Sequence, residues 1–314
     1  QGEAVRAGQI VEARVRARAD GGGVYLDHIG WKRLEGGFEP LFCDRKYSEG
    51  LHEGATLRVR VLSAGRHDHA AKVVPIENDD VLSDPSTAFQ DWVERLGVHR
   101  VEEGTGDQAE AIEAVFDEAL TQTVPLMGGG VLHVEHTRAL TAFDVDAAGR
   151  EGRGSAGVKA LALNKVAVAE AARQMCLRGL GGVMAVDCVE PLNEGARSIV
   201  REACLGAFTA HDPRSAKVLK PSPFGILEAA IAWQDTPLDE VYARPDTDLL
   251  FALRSAQRTL TADTGGFYTL ELGQAAYEAY LIRKSFADAE ISTHFHGRLS
   301  LERADSGQEG LRRQ

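Results

Sequence analysis

The sequence predicts an α/β protein, α+β overall, with three structured parts along the chain. Short segments that alternate apolar and charged residues fill positions 8–75, which indicates a β-rich N-terminal part. Between residues 131 and 189, two strand patterns flank a long helical pattern, an order that is typical of a βαβ unit. Strand and helix patterns alternate again after residue 236, where we expect a small C-terminal α/β domain.

The distribution of charge separates the N-terminal part from the rest. Residues 76–126 contain 13 acidic and 2 basic residues, which accounts for nearly all of the net charge of −12. The remaining chain is therefore compatible with a polyanionic partner. We predict four segments: a barrel over 1–76, an acidic linker and helix over 77–126, a central α/β domain over 127–235 and the C-terminal domain over 236–314.

The sequence favours a cytoplasmic protein without a membrane partner. No apolar run approaches the ~20 residues that cross a bilayer, and the first residues carry arginines without an apolar core. The four cysteines, Cys43, Cys176, Cys188 and Cys204, form no CxxC pair. We interpret them as buried reduced thiols, which fits a reducing compartment.

The N-terminal part is predicted to be a small closed barrel. QIVEARVRA and TLRVRVL alternate regularly, whereas GGGVYLD and GFEPLF are shorter strand patterns among turn residues. About five short strands suit an OB-type barrel, a fold that often binds single-stranded nucleic acid. We expect Tyr25 and Phe38 on its open face, and the alternative is that both rings belong to the barrel core.

The central segment places two carboxylates at the ends of two strands. Residues 139–145 and 183–189 are predicted strands, and residues 158–178 between them are a predicted helix. Parallel strands of a βαβ unit end at the same edge of a sheet, so we expect Asp144 and Asp187 to meet there. The alternative is that both are ordinary turn or cap residues.

Several helices and strands accompany this unit. On the predicted central helix, Glu170, Gln174 and Arg178 are spaced to support one another, and Gly179 is placed to end the helix. Upstream, DQAEAIEAVFDEAL predicts an acidic amphipathic helix that packs on a neighbour. Near the C-terminus, FYTLEL, GQAAYEAYLIRK and ISTHFHGRLSLER predict a strand, a helix and a closing pair of strands.

Two carboxylates at one strand edge, with no thiol in the pattern, suit a hard divalent cation. Mg²⁺ prefers oxygen ligands, and Mn²⁺ can take its place. Asp144 and Asp187 are therefore candidate metal ligands and catalytic residues, and Asp146 is a candidate catalytic residue that orients the first carboxylate. Basic residues available to contact a phosphate backbone are Arg150, Arg153, Lys159, Lys165 and Arg173.

Three stretches resemble the ribonuclease E/G endoribonucleases: GGVLHVEHTRALTAFDVD, ALNKVAVAEAARQMCLRGLGGVMAVD and, more loosely, PSPFGILE. The resemblance implies a deoxyribonuclease I-like central domain in which Asp144 and Asp187 bind one Mg²⁺, with Asp146 in the place of a positioning Asn. It implies that a metal-activated water cleaves single-stranded RNA and leaves a 5′-phosphate and a 3′-hydroxyl. Tyr25 and Phe38 match two aromatic residues that hold an RNA base in the family.

The sequence also departs from the family pattern. The family's sensor of a 5′-monophosphate would fall in the short acidic segment, and the CPxC zinc-link motif is absent, so any homo-oligomer is expected to form without that link. AAIAW replaces the family's basic residues after FGLLE. We expect a Mg²⁺-dependent endoribonuclease; the alternatives are an RNA-binding protein of the same fold with little or no cleavage, and a metal phosphoesterase for a small nucleotide.

Overall fold

The computed structural model describes residues 5–29, 40–66, 69–77, 81–83, 90, 93–94, 97, 100–102, 107–211, 214–244, 247–282, 284–305 and 309–314. The described residues divide into two compact units, the first ending at residue 238 and the second beginning at residue 239. No helix in the described ranges is both long enough and apolar enough to cross a membrane. The predicted mixed α/β class is confirmed, and the division into four segments stays a prediction.

The first unit begins with a closed five-stranded barrel. Its strands are β1 (Ile10–Arg18), β2 (Val24–His28), β3 (Leu41–Cys43), β4 (Thr56–Ser63) and β5 (Ala71–Pro75), in the order β1-β2-β3-β5-β4. β4 pairs again with β1, and β3 runs parallel to β5. On β1, Val11 and Val15 are buried inside the barrel while Arg14 and Arg16 face outward, so the alternation in the sequence predicted the inner and outer surfaces correctly.

In the described part of the first unit, a six-stranded sheet and three helices of at least ten residues follow the barrel. The strands are β6 (Thr123–Pro125), β7 (Val131–His136), β8 (Leu140–Asp146), β9 (Gly182–Asp187), β10 (Ala216–Val218) and β11 (Ile226–Ile231), in the spatial order β10-β11-β9-β8-β7-β6. The helices are α1 (Asp107–Leu120), α2 (Ala156–Leu177) and α3 (Glu194–His211). β8 and β9 are parallel and are connected through α2, which confirms the predicted βαβ unit.

The two faces of this sheet differ. On the helix-covered face, defined by Leu132, Phe143, Val186 and Leu227, the side chains are fully buried against α2 and α3. Because strand residues alternate in direction, their neighbours point the other way. We call that second side the open face and define it by its cavity-lining residues His133, Asp144, Asp187 and Ile226.

Helix α2 is joined to helix α1 by a polar network. The Gln174 Nε2 donates to Glu170 Oε1 (2.9 Å) and to Glu118 Oε1 (2.6 Å), while its Oε1 accepts from Arg178 Nε (2.8 Å). Arg178 also donates to the carbonyl of Thr121 (2.6 Å). The predicted mutual support of the three α2 residues is confirmed, and the partner on α1 was not predicted from the sequence.

All four cysteines are free thiols. Cys43, Cys188 and Cys204 are buried and Cys176 is half-buried. Burial raises the pKa of Cys43 to about 11 and the pKa values of Cys188 and Cys204 to about 12 each, so these thiols stay protonated near neutral pH. Burial is thus confirmed for three of the four cysteines, and their reduced state stays a prediction.

The second unit is a small α/β domain with its own core. A short helix, α4 (Leu238–Tyr242), spans the boundary, and α5 (Thr247–Ala262), β12 (Tyr268–Leu272), α6 (Gln274–Ile282), α7 (Lys284–Phe295), β13 (Leu299–Arg303) and β14 (Gly310–Arg313) follow. The sheet order is β13-β12-β14. The expected strand over ISTHFH is wrong, because Ile291 and Phe295 lie one helical turn apart and are both buried in the core of this unit.

Candidate active site

The two candidate carboxylates, Asp144 near the end of β8 and Asp187 at the end of β9, lie side by side on the open face. In the parallel β8–β9 pair, Asp144 is the direct partner of Asp187. On the flanking strands, His133 is the partner of Asp144 and Ile226 is the partner of Asp187. Neighbouring strands are ~4.8 Å apart, so both carboxylates are within reach of one cation. The register confirms that the acids meet, and their role as metal ligands stays a prediction.

These acids line a cavity of about 380 Å³ on the open face. Ala142 and Ala185 are partners in the β8–β9 register, and each lies two residues before an acid on the same face. Their small side chains leave the floor of the cavity free beside the carboxylates. His133 closes one side, with its Nδ1 3.3 Å from the Thr123 Oγ1.

A fully buried amide fixes the backbone that follows Asp187. The Asn164 Nδ2 donates to the carbonyl of Val189 (2.8 Å), and the Asn164 Oδ1 accepts from the Val189 N–H (2.9 Å). Between Asp187 and Val189, the Cys188 N–H donates to the carbonyl of Gly225, the residue just before β11 (3.1 Å). Asn164 was not predicted from the sequence, where its only signal is a polar residue on the apolar side of α2.

Asp146 lies two residues after Asp144 on the same face of β8 but has a different partner residue on β7. Its register partner on β7 is Val131, and its side chain is exposed. The Asp146 Oδ1 accepts a hydrogen bond from the Ala148 N–H (2.8 Å), which fixes the turn after β8. The predicted support of Asp144 by this carboxylate stays a prediction.

Arg150 holds the loop after β8 against the β6–β7 turn. Its Nη1 donates to the carbonyls of Met127 (3.0 Å) and Gly129 (2.8 Å). A Cβ on Gly130, which has a φ of 90°, would lie 2.8 Å from the carbonyl oxygen of Asp146, so this close approach requires glycine. The predicted contact of Arg150 with RNA stays a prediction beside this observed structural role.

Three further basic candidates, Lys159, Lys165 and Arg173, lie on α2. Lys165 is exposed to solvent. Arg173 forms ion pairs with Glu118 on α1 and with Glu170, whose Oε2 lies 3.5 Å from the Arg173 Nε. Because α2 packs on the helix-covered face, these pairs lie across the sheet from the two acids. The predicted RNA contacts of all three residues stay predictions.

Tyr25 points outward from the barrel between two fully buried neighbours on β2. Its ring centroid is 5.2 Å from that of Phe42, and the Arg16 Cζ lies 6.0 Å from the Tyr25 centroid. Phe42 is in turn the register partner of Lys72. These four side chains form an aromatic and basic patch, and the sequence analysis found only Tyr25 of its two rings. Phe38 lies outside the described residues.

Two carboxylates without a third ligating side chain suit a cation that keeps water ligands. In the part of the chain that the structure describes, no group of three or more His, Cys, Asp or Glu residues is arranged to hold a metal ion. Mg²⁺ is commonly held by one or two carboxylates and several waters, whereas structural zinc takes four side-chain ligands. The donor set of Asp144 and Asp187 therefore fits Mg²⁺ or Mn²⁺ better than zinc.

Two helices follow the acid-bearing strands along the chain. α2 follows β8 after residues 147–155, and α3 follows β9 after residues 188–193. The free N–H groups of a first helical turn favour anions, including phosphates. At the start of α3, the Asn193 Oδ1 caps the helix by accepting from the Ala196 N–H (2.8 Å), and Lys220 pairs with Glu194 (2.7 Å). The Ala196 N–H is therefore already bonded at this helix start, and the charge of Lys220 is balanced by Glu194.

The chain is similar to known proteins. The ribonuclease E/G family model matches residues 44–231, which include every strand of the six-stranded sheet. The chain is 34% identical over 119 residues to the Ribonuclease E/G-like protein, chloroplastic, of Arabidopsis thaliana, a match that covers 37% of this chain and 12% of that protein.

Two bacterial enzymes are similar over nearly the same length. Ribonuclease E of Escherichia coli is 32% identical over 117 residues, covering 37% of this chain and 11% of the relative. Ribonuclease G of Salmonella typhimurium is 29% identical over 117 residues, covering 37% and 24%. The chain thus matches only a small part of the length of these relatives.

Proposed function

Because the chain belongs to the ribonuclease E/G family, we propose that it is a Mg²⁺-dependent endoribonuclease that cleaves single-stranded RNA. The observation that carries this proposal is the direct register pairing of Asp144 with Asp187 beside an open cavity. In the proposed reaction, water attacks an RNA phosphodiester, and the products carry a 5′-phosphate and a 3′-hydroxyl. In the proposal, the six-stranded sheet with helices α2 and α3 corresponds to the deoxyribonuclease I-like domain of the family.

Asp144 and Asp187 would hold the cation. Mg²⁺, or Mn²⁺ in its place, supplies a lowered pKa for a bound water and charge neutralisation at the reacting phosphate. The chain's own residues provide position: the β8–β9 register sets the spacing of the two carboxylates, and Asn164 holds the backbone after Asp187. In the proposal, Asp146 steadies the loop next to Asp144 through its hydrogen bond with Ala148.

The barrel would bind the RNA strand. Its strand order and its parallel β3–β5 pair support an OB-type barrel, a fold that binds single strands by stacking and by charge. Tyr25 and Phe42 offer two adjacent rings, and Arg16 and Lys72 offer positive charge beside them. We keep Phe38 as a further candidate contact from the sequence.

Direct contacts between the barrel and the six-stranded sheet support a single path for the RNA strand from one to the other. The Ala64 N–H at the end of β4 donates to the carbonyl of Gln234, just after β11 (2.7 Å). Next to this bond, the Arg66 Cζ lies 4.1 Å from the centroid of the Trp233 ring. An RNA bound on the barrel would therefore lie at a defined place relative to the acids.

Substitution of the acids tests the proposal. Asp144→Asn and Asp187→Asn should each lower cleavage of a labelled, unstructured RNA by about a thousandfold, since several kcal/mol of transition-state stabilisation depend on the cation. Removal of Mg²⁺ with a chelator should have the same effect on the parent protein. New 5′-phosphates on the products would confirm the chemistry.

A matched control is Glu110→Gln, which removes an exposed carboxylate on α1, away from the cavity. This variant should cut like the parent, and all three should keep the parent's thermal unfolding. If both Asp variants cut as well as the parent, the proposal is wrong. Retention of RNA by the parent without cutting would instead support the RNA-binding alternative.

We also infer a cytoplasmic location and, where the chain self-associates, a homo-oligomer without a zinc link. The first inference rests on the absence of a long apolar helix in the described residues and on the four free thiols. The name of the Arabidopsis relative places that protein in the chloroplast, so the location needs its own measurement.

A further inference from the structure

The most exposed large apolar side chain lies next to the candidate acids. Among the described residues, that side chain is Phe224, which is 88% exposed. Phe224 precedes β11 by two residues, and the first residue of β11, Ile226, is the register partner of Asp187. Phe224 therefore lies at the same edge of the sheet as Asp144 and Asp187.

Hydrogen bonds fix the turn that carries this ring. The Ser222 N–H donates to the carbonyl of Ile226 (2.9 Å), the Gly225 N–H donates to the carbonyl of Ser222 (3.0 Å), and the Phe224 N–H donates to the Ser222 Oγ (3.2 Å). The Gly225 carbonyl accepts from the Cys188 N–H (3.1 Å), which ties the turn to the residue after the second acid.

Glycine is required at this point of the turn. Gly225 has a φ of 84°, and a Cβ there would lie 3.1 Å from the carbonyl oxygen of Cys188. The turn is thus held close to β9, and Phe224 is presented from a defined backbone position. Single exposed apolar residues are common on protein surfaces, so exposure alone would carry no argument. The fixed turn beside the acids is what distinguishes this one.

A nucleobase fits this position chemically. A base has a flat apolar face that stacks on aromatic rings, and such stacking is largely independent of sequence. We propose that Phe224 stacks on a base of the RNA strand next to the phosphate held at Asp144 and Asp187, and so positions that phosphate for cleavage. This inference rests on the proposed ribonuclease function.

The proposed contact differs from the charged contacts in its response to salt. Binding through phosphates weakens as salt rises, because counterions are released when Lys or Arg neutralises a phosphate. Stacking on Phe224 involves no charge, so Phe224→Ala should weaken RNA binding by the same factor at low and high salt. Lys72→Ala on the barrel should instead reduce the dependence on salt.

The test uses unstructured RNA that carries 2-aminopurine at successive positions around the cut. The parent protein should quench the fluorescence at one position, and Phe224→Ala should lose that quenching. Its kcat/KM should fall about fivefold to hundredfold, the range that base–aromatic stacking supports. Phe224→Trp should restore both readouts. The matched control is Ile199→Ala, an exposed apolar residue on α3, which should resemble the parent.

The outcomes separate this inference from the proposed function. If the parent cuts RNA and Phe224→Ala matches it in quenching and in kcat/KM, the stacking contact is wrong and the ribonuclease function stands. If the parent neither binds nor cuts RNA, both are wrong. A change in sedimentation of Phe224→Ala, with unchanged RNA binding, would assign the ring to contact with a second copy of the chain and overturn the proposal.

Discussion

The helix-covered face and the open face of the six-stranded sheet are built from the same strands but have different roles. Phe143 is 1% exposed and packs under α2 and α3, whereas Asp144, the next residue, is exposed beside the cavity. On β9, Val186 and Asp187 repeat this division. A strand therefore stabilises the fold with one set of alternate residues and carries the candidate chemistry with the other.

This difference predicts that substitutions of neighbouring residues on one strand change either the free energy of unfolding or the cleavage activity, but not both. Substitutions on the helix-covered face should change the free energy of unfolding, because they remove buried apolar contacts. Substitutions on the open face should change cleavage, because they remove exposed polar groups that the core does not need.

The largest contrast is expected between Phe143→Ala and Asp144→Asn. Phe143→Ala should lower the free energy of unfolding by about 3–5 kcal/mol, since it leaves a cavity in the core, and should keep cleavage per folded molecule. Asp144→Asn should show the reverse pattern. Urea unfolding and single-turnover cleavage on the same samples measure both. Equal losses of stability in the two variants would contradict the division between the faces.

Asn164→Ala should lower both the free energy of unfolding and cleavage. Asn164 is a buried residue of α2, on the helix-covered side, and it holds the backbone that follows Asp187. The substitution would leave the N–H and carbonyl of Val189 without their partner, at a cost of about 2–4 kcal/mol in unfolding free energy. Cleavage per folded molecule should also fall, because the backbone after Asp187 loses its support. Lys165→Ala, at the next and exposed position, is the control and should keep the parent's stability.

A smaller change in the free energy of unfolding is expected in the barrel. There, the pH dependence of stability tests the role of a partly buried histidine. Burial lowers the pKa of His28, at the end of β2, to about 4. Between pH 6.5 and pH 4 the unfolded chain binds a proton at this imidazole that the folded chain does not, so stability should fall as the pH falls. Because the imidazole is only partly buried and solvent screens its charge, we expect a loss of about 1–2 kcal/mol over this range.

His28→Gln should flatten that decline in stability measured by urea unfolding at pH 7 and at pH 4.5. His52→Gln, which alters an exposed imidazole in the barrel, should leave the decline unchanged. If His28→Gln and the parent lose stability equally on acidification, His28 does not control the response.

The sequence predicted those features that depend on local periodicity and on the rules of chain connection. Alternation along β1 and β4 predicted a closed barrel, and two strands joined by a helix predicted that Asp144 and Asp187 meet. The same local reasoning was wrong for residues 291–296, because β-branched and aromatic residues there resemble a strand. Burial of Ile291 and Phe295 against one core favours the helix instead.

The features that the sequence did not reveal depend on contacts between distant residues. The pairing of Asn164 with Val189, 25 residues apart, leaves no periodic signal in a helix rich in alanine. Arg150 was available as a free cation in the sequence, but its two carbonyl partners come from a separate turn. The exposure of Phe224 follows from a turn held by β9, and a Phe between Pro and Gly does not indicate that on its own.

The alternation along β8 also constrains how this chain can change in length. One residue inserted or deleted within the strand would move every following side chain to the opposite face. Such a change would place the carboxylate of Asp144 under α2 and expose an apolar neighbour. The hydrophobic core and the candidate site would therefore both be disrupted. Variation in length is therefore expected in the connections outside the strand, such as residues 147–155 between β8 and α2.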